Sequence, residues 1–438
     1  MKTIFKRITI FIIVVASLYG VGRVGVVTYD SYLFVDRQPY MVMQTQNSIT
    51  IKWQTPKEEI GKINYSLVSG TLENSLHEKR ATKKHSLTIS NLHECVKYKY
   101  NVESKSLKID NIGRGFKTLC KKEIAQRLWV IGDSGERGNG QEGVYKQMLK
   151  YINHDFNKLN MWILLGDNAY RSGTQKQFNK DLFEPYKEVV KRFVPWAVTG
   201  NHDARRWAFY DIWDFPKNAQ SGGIASGTDE YYSIENGNLH IVMLDNEHPS
   251  LSKDGDMAKW LRKDLAHNKK PWVIVAFHTP PYSDGSHKSD SDYNSGGRMK
   301  QMRENFVPIF DEFGVDLVLS GHSHGYERSK LIVNHLGKSD SFDVTKNVLQ
   351  DNKSCYTKPF KKTKNSGTIY LVIGSSSKLD HATLKHPAMP YSFEKMGSVI
   401  LEITPTLLSS KFLTIDGEIA DEFVIKKITH LVRAKSNE

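Results

Sequence analysis

Short apolar runs broken by polar turns dominate the chain from about residue 126 onward, and five of them set its frame. Leu128–Ile131, Trp162–Leu165, Trp196–Val198, Trp272–Phe277 and Leu317–Leu319 each run into a polar turn, most of them opened by Gly, the pattern of a buried strand. Further strands are expected at Glu230–Ser233, Leu239–Leu244, Thr368–Ile373, Ser398–Ile403 and Lys411–Ile415. Helices are expected at Gln141–Asn153, Lys176–Arg192, Asp256–Leu265 and Gly297–Phe313. Strands alternating with helices predict an α/β domain over residues 126–425, with two sheets packed face to face and helices outside them. Ahead of it, residues 35–120 carry shorter alternating strands at Ser48–Trp53, Lys62–Ser66, Ser86–Ile89, Tyr98–Val102 and Gly115–Thr118, the spacing of a small all-β sandwich. Lys121–Gln126 is a charged linker between the two. Residues 329–366 are polar and Lys-rich without clear periodicity, and read as a solvated surface loop in preference to a lid.

The first 25 residues have their own pattern: Lys2, Lys6 and Arg7, an apolar stretch Ile8–Leu18, and small residues at Ala16 and Ser17. This is the layout of an export signal. The uncharged stretch between Arg7 and Arg23 is shorter than the roughly 20 residues that span a bilayer. Apolar character resumes at Val24–Val27, so an uncleaved N-terminal anchor is the alternative and the only expected membrane contact. Either way the protein is expected to be exported, whether periplasmic, secreted or held at the cell surface.

Composition changes this picture little. The 438 residues carry a net charge of +13, spread over scattered lysines with no basic stripe interleaved with aromatics. Nucleic acid is therefore not an expected partner; the charge fits a solvated surface or the steering of phosphate-bearing substrates. None of the three cysteines lies in the strand-end motifs, so no catalytic thiol is expected. Cys95 and Cys120 flank the last strands of the sandwich and fit either a disulfide or two unlinked thiols, while Cys355 stands alone.

The chemistry lies in the five turns. In order they read GDSG with Asp133, GDNAY with Asp167 and Tyr170, GNHD with Asn201, VAFH with His278, and GHSH with His322 and His324. One strand-end Asp can cap a helix, and two nearby histidines can lie on a surface. Five such turns, each after a buried strand, point to one crevice at the carboxyl ends of a layered α/β fold. Two metal ions roughly 3.5 to 4 Å apart repel each other, so a carboxylate must bridge them while each keeps an open position for water and substrate. Asp167 is the best candidate for the bridge. Asp133, Tyr170 and His324 would complete one ion, and Asn201, His278 and His322 the other.

The set DxG, GDxxY, GNH[DE], VxxH and GHxH resembles the signature of the purple acid phosphatases within the calcineurin-like metallophosphoesterases. All seven ligand positions are filled, and Leu244-Asp245-Asn246, Trp260-Leu261 and Tyr326-Glu327-Arg328 add to the likeness. The resemblance implies a four-layer αββα metallophosphoesterase sandwich. Trp53, Leu92 and Tyr98-Lys99-Tyr100 make the preceding module similar to a fibronectin type III-like domain. The family likeness further implies a binuclear centre of Fe(III), bound by the Tyr170 phenolate, and a divalent Fe, Zn or Mn ion. It implies an acid phosphatase that cleaves small phosphate monoesters to phosphate and alcohol by attack of metal-bound hydroxide. His202 and His287 match the family's substrate histidines, which contact phosphate oxygens or protonate the leaving alkoxide. Lys288 stands where some relatives place a second histidine, and Asp203 where many carry Glu. Two alternatives accompany this reading: a phosphodiesterase or nucleotide hydrolase using the same metals, and a surface binding protein with an inactive phosphatase domain.

Overall fold

The computed structural model describes residues 33–429 continuously, together with eight residues between 15 and 29. The leader read over residues 1–25 lies outside that continuous stretch. No helix among the described residues is long and apolar enough to cross a membrane.

Seven strands form the N-terminal module: β1 (Arg37–Val42), β2 (Ile49–Glu59), β3 (Lys62–Leu67), β4 (Asn74–His77), β5 (Thr82–Ile89), β6 (Lys97–Glu103) and β7 (Gly115–Lys117). They make one sheet of order β1-β2-β5 and a second of order β4-β3-β6-β7. Trp53, Tyr100 and Val102 are buried, and Cys95 is disulfide-bonded to Cys120, while Cys355 is free and exposed.

The larger part opens with β8 (Gln126–Ile131), β9 (Met161–Leu164), β10 (Pro195–Ala197), β11 (Tyr231–Asn236), β12 (Leu239–Leu244), β13 (Trp272–Ala276) and β14 (Leu317–Ser320). It continues through β15 (Tyr326–Arg328), β16 (Leu331–Ile332), β17 (Val348–Gln350), β18 (Cys355–Pro359), β19 (Ile369–Ile373), β20 (Tyr391–Phe393), β21 (Gly397–Ile403), β22 (Leu407–Thr414) and β23 (Ile419–Ile428). Two seven-stranded sheets result, ordered β10-β9-β8-β21-β22-β23-β18 and β11-β12-β13-β14-β19-β15-β20. Alternation along β13 shows how the layers form. Trp272, Ile274 and Ala276 enter the core shared by the two sheets, whereas Val273 and Val275 face outward into a second core. That second core takes Met257, Leu261 and Leu265 from α2 (Asp256–His267) and Ile309 and Phe310 from α3 (Val307–Phe313). On the far side α1 (Asn139–Tyr151) lies against β21 and β22. The arrangement is the expected αββα sandwich.

Strands β8, β9 and β10 run parallel in one sheet, as do β12, β13, β14 and β19 in the other. The ends that carry the motif turns thus gather at one edge, with three turns from the first sheet and two from the second.

Three sequence expectations change. The helix read over Lys176–Arg192 is broken into Gln175–Phe178, a wider turn Asn179–Phe183, and Lys187–Val190. Pro185 lies between the last two pieces, where its missing N–H interrupts a helix. The segment 329–366 is no surface loop: it contains β16, β17 and β18, and β18 pairs with β23 at the sheet edge. Its Lys358 is buried, donating to the carbonyls of Gly314, Val315 and Gly367 and pairing with Asp316 at 3.1 Å. Asp316 precedes β14, whereas His322 follows it, so Lys358 packs at the end of β14 opposite the site. Finally, the domain extends to Ile428 through β23. Its inward positions include Asp421 and Lys427, which hide the strand's alternation; Asp421 accepts from Arg328 at 2.5 and 2.8 Å and from Tyr326 at 2.8 Å, and Lys427 pairs with Asp316 at 2.5 Å.

Two buried histidines beside Tyr282, His335 and His386, are held down to about 4, burial being the main cause for each. The unfolded chain takes up these protons near pH 6.5, the folded chain only near 4, so stability is lost as pH falls across that window. Thermal unfolding between pH 7 and 4.5 is expected to show a falling midpoint, and His386→Asn should flatten that fall by up to about 3 kcal/mol; an unchanged pH dependence would contradict it.

Candidate metal centre

Three of the ligands leave their strands through turns that ordinary side chains avoid. Asp133, Asp167 and His322 have φ of 52°, 51° and 69°, a left-handed backbone that costs a non-Gly residue free energy and persists only where the surroundings enforce it. Glycines beside them permit the close approach. A Cβ on Gly200 would lie 2.2 Å from Asp167 Oδ1, and one on Gly321 2.4 Å from Asp133 Oδ2. The conformation is held from outside: His322 N–H donates to Asp133 Oδ2 at 2.7 Å, and His202 N–H to Asp167 Oδ1 at 2.8 Å.

All seven predicted ligands meet, in two groups. Tyr170 Oη lies 3.2 Å from Asp133 Oδ1, 3.0 Å from Asp167 Oδ2 and 3.3 Å from His324 Nε2. Asn201 Oδ1 lies 3.2 Å from His278 Nε2 and 3.0 Å from His322 Nδ1, and those two nitrogens are 3.2 Å apart. Asp167 faces both groups, Oδ2 toward Tyr170 and Oδ1 toward His278 Nε2 at 3.5 Å. Asp133, Asp167 and His278 each place one ligand atom within 4.8 Å of the others.

The donor set fits cations. His278 Nδ1 faces the Leu165 carbonyl at 2.8 Å, which only accepts, so that nitrogen carries a proton and Nε2, facing Asn201 Oδ1, is the one that would bind a cation. His324 Nδ1 is likewise tied to the Asp380 carboxylate at 2.6 Å, turning Nε2 inward. Atoms bound at about 2.1 Å to a single cation lie roughly 3 Å from one another, close to the separations seen here. Without cations the site is electrostatically tense. Burial works against ionised Asp167, but the charge of His278 and the contacts of His202 bring it below the usual carboxylate range. His278, disfavoured by burial, is pushed up to about 10 by Asp167 and Asp133. Burial and both carboxylates hold the Tyr170 phenol well above its ordinary value, which a bound cation would reverse.

His202 and His287 stand beside the ligands and not among them. His202 Nδ1 is tied to the Arg171 carbonyl at 2.8 Å, with Nε2 3.8 Å from Asp167 Oδ2. His287 stacks on His322 with ring centroids 3.9 Å apart, and its Nδ1 meets Asn294 Oδ1 at 3.0 Å. Both rings are therefore fixed through Nδ1, and burial lowers both from the ordinary imidazole value. Lys288 faces solvent and pairs with Asp284 at 2.9 Å.

Four supporting residues were not read from the sequence as parts of the site. Asp203 is fully buried and accepts from the N–H groups of Asn168, Ala169 and Gly200 and from the Asn168 amide, bracing two ligand turns at once. Ser295 Oγ meets His322 Nε2 at 2.6 Å. Asp380 and Asn294 orient His324 and His287. Asp203 is the last residue of the GNHD turn, where the sequence marks it only as a departure from Glu; Ser295, Asn294 and Asp380 lie in segments with neither periodicity nor motif.

Residues 126–326 match the family model described as calcineurin-like phosphoesterase. They form a calcineurin-like metallophosphoesterase domain. Among curated proteins the chain is 32% identical over 214 residues to purple acid phosphatase 18 of Arabidopsis thaliana, a match covering 46% of this chain and 45% of the relative. It is 26% identical over 356 residues to purple acid phosphatase 15 of the same plant, covering 66% and 63%. These matches span about half to under two thirds of the relatives' length. In fold, a purple acid phosphatase from yellow lupin (Lupinus luteus) seeds superposes with a TM-score of 0.70 at 16% identity, covering 90% of this chain and 75% of that one. A metallophosphoesterase domain with this donor set implies a binuclear metal centre.

Gly200→Ala is expected to displace Asp167, so that the desalted variant retains well under the two ions per chain expected of the parent. Asp380→Asn should release the His324 ring and weaken metal retention in a chelator titration by about 10-fold or more. Undiminished metal content in both variants would refute this account of the site.

Proposed function

We propose that the chain is an exported acid phosphatase that hydrolyses phosphate monoesters to inorganic phosphate and an alcohol. The observation that carries this reading is the Asp167 carboxylate facing two ligand groups, with a histidine outside the ligand set on either side. When bound, a cation pair of Fe(III) with divalent Fe, Zn or Mn would neutralise the phosphoryl oxygens and acidify a water molecule.

The chain's own residues do the rest. Asp133, Tyr170 and His324 would hold the ferric ion, since a phenolate suits a hard, highly charged cation, and Asn201, His278 and His322 the divalent one. The neutral Asn201 leaves that second position more electrophilic. His202 and His287, held through Nδ1, keep Nε2 for the substrate: neutral, it accepts; protonated by an incoming acidic monoester, it donates to a phosphate oxygen or to the departing alkoxide. Asn294 and the Arg171 carbonyl prevent these rings from turning away. Glu327, pushed up to about 7 chiefly by burial, accepts from the Asp284 N–H at 3.0 Å and anchors the loop that carries His287. The similarity to curated purple acid phosphatases supports the same reading.

With p-nitrophenyl phosphate as substrate, Asp167→Asn is expected to remove turnover, while His202→Ala and His287→Ala each lower kcat by about 10²-fold. Tyr170→Phe should bleach the visible absorption band of the iron-loaded protein and leave part of the hydrolysis. Full activity in Asp167→Asn, or a colourless parent that contains iron, would refute the assignment.

A further inference from the structure

Cations around the mouth of the site divide into two groups. On the His287 side their charge is met locally: Lys288 pairs with Asp284 at 2.9 Å, and Arg298 with Glu247 at 3.2 Å. On the His202 and Tyr170 side, Arg171, Arg205 and Lys378 have no carboxylate within 4.0 Å among the described residues. Arg205 and Lys378 are nonetheless placed by the site itself. The Arg171 carbonyl that accepts from His202 Nδ1 also accepts from Arg205 Nη1, at 3.0 Å. Lys378 lies with Nζ 5.8 Å from the centre of the Tyr170 ring. It sits between Ser377, which donates to the Asp133 carbonyl at 2.5 Å, and the Asp380 segment that orients His324.

Arg171 and Arg205 are exposed and Lys378 half-buried, so their charges stand open at the rim, and a phosphate group is the ligand that guanidinium and ammonium groups meet best. One monoester is already met by the cation pair, His202 and His287, so the rim has charge to spare on one flank only. We propose that Arg205 and Lys378 form a subsite for a second phosphate of the substrate, making compounds with two or more phosphate groups the preferred class. This deepens the phosphatase reading and rests on it for the order in which the phosphates are used. The second phosphate can belong to a nucleoside or to a polyol. Trp207, 62% exposed and two residues beyond Arg205, offers a face on which a base would stack.

The test is calorimetric binding of propane-1,3-diphosphonate and of propylphosphonate to the metal-loaded protein, its Arg205→Gln and Lys378→Gln variants and the double variant. The parent is expected to hold the diphosphonate about 10-fold tighter than the monophosphonate, and the double variant about twofold or less, as the loss of one or two charge-assisted hydrogen bonds predicts. Turnover of ADP against AMP, and of a hexose bisphosphate against its monophosphate, identifies the carrier: the pair whose kcat/KM ratio collapses in the variants is the one the subsite serves. Equal affinity of the parent for the two phosphonates, or an advantage that survives both substitutions, overturns the subsite. Monoester hydrolysis in that case leaves the phosphatase reading standing. A binding advantage that depends on Arg205 and Lys378, with no turnover of any ester, upholds the subsite and refutes the phosphatase reading.

Discussion

One carboxylate shared between two cation positions is the constraint around which this structure is organised. Asp167 turns one oxygen toward Tyr170 and the other toward His278 and the His202 N–H. Like-charged ions at such short range need a negative group between them. To present it, the backbone leaves β9 in a left-handed conformation, and Asp133 and His322 leave their strands in the same way. Each departure costs of the order of 1–3 kcal/mol. The cost is sustained because the strands behind these turns are fully buried and the Asp203 carboxylate ties the Asp167 turn to the Asn201 turn. Rigidity in the sheets is what makes strain at their ends tolerable.

Much of this was legible because metal chemistry restricts residue type and buried strands restrict position. Five apolar runs, each followed by a ligand, left little freedom for where Asp133, Asp167, Asn201, His278 and His322 would meet, and the two sheets followed from the strand and helix alternation. The illegible parts share a physical cause. Asp380 is 56 residues from His324, and β18 and β23 carry Lys358, Asp421 and Lys427 inward, so a hydrophobic pattern misses strands whose buried faces are stitched by ion pairs. Lys358 and Lys427 both meet Asp316, and Arg328 meets Asp421. Such contacts exist only after the chain has closed, and no local window contains both partners. The Cys95 to Cys120 link, left open by the sequence, is decided by the proximity of β7's end to the turn before β6.

The N-terminal module grips the same loops from outside. Arg37, buried in β1, donates to Asn179 at 2.6 Å and to Gln175 at 2.8 Å, and Gln175 in turn donates to Asp211, which Lys84 of β5 also holds. Tyr40 donates to the Ile212 carbonyl at 2.8 Å. Gln175 follows Tyr170 by one turn of chain, and Asp211 follows the His202 segment. A sandwich that carries no ligand of its own therefore still borders the two turns that hold the phenolate and the amide ligand.

The ligands are divided between the layers, three turns from the sheet of β8, β9 and β10 and two from that of β13 and β14. An occupied centre thus works as a clasp across the seam of the sandwich, and the free energy of filling it is also free energy of keeping the layers together. Reciprocity follows: whatever loosens the seam, even far from the edge where the ligands gather, weakens the capture of cations, and whatever strips the cations loosens the seam.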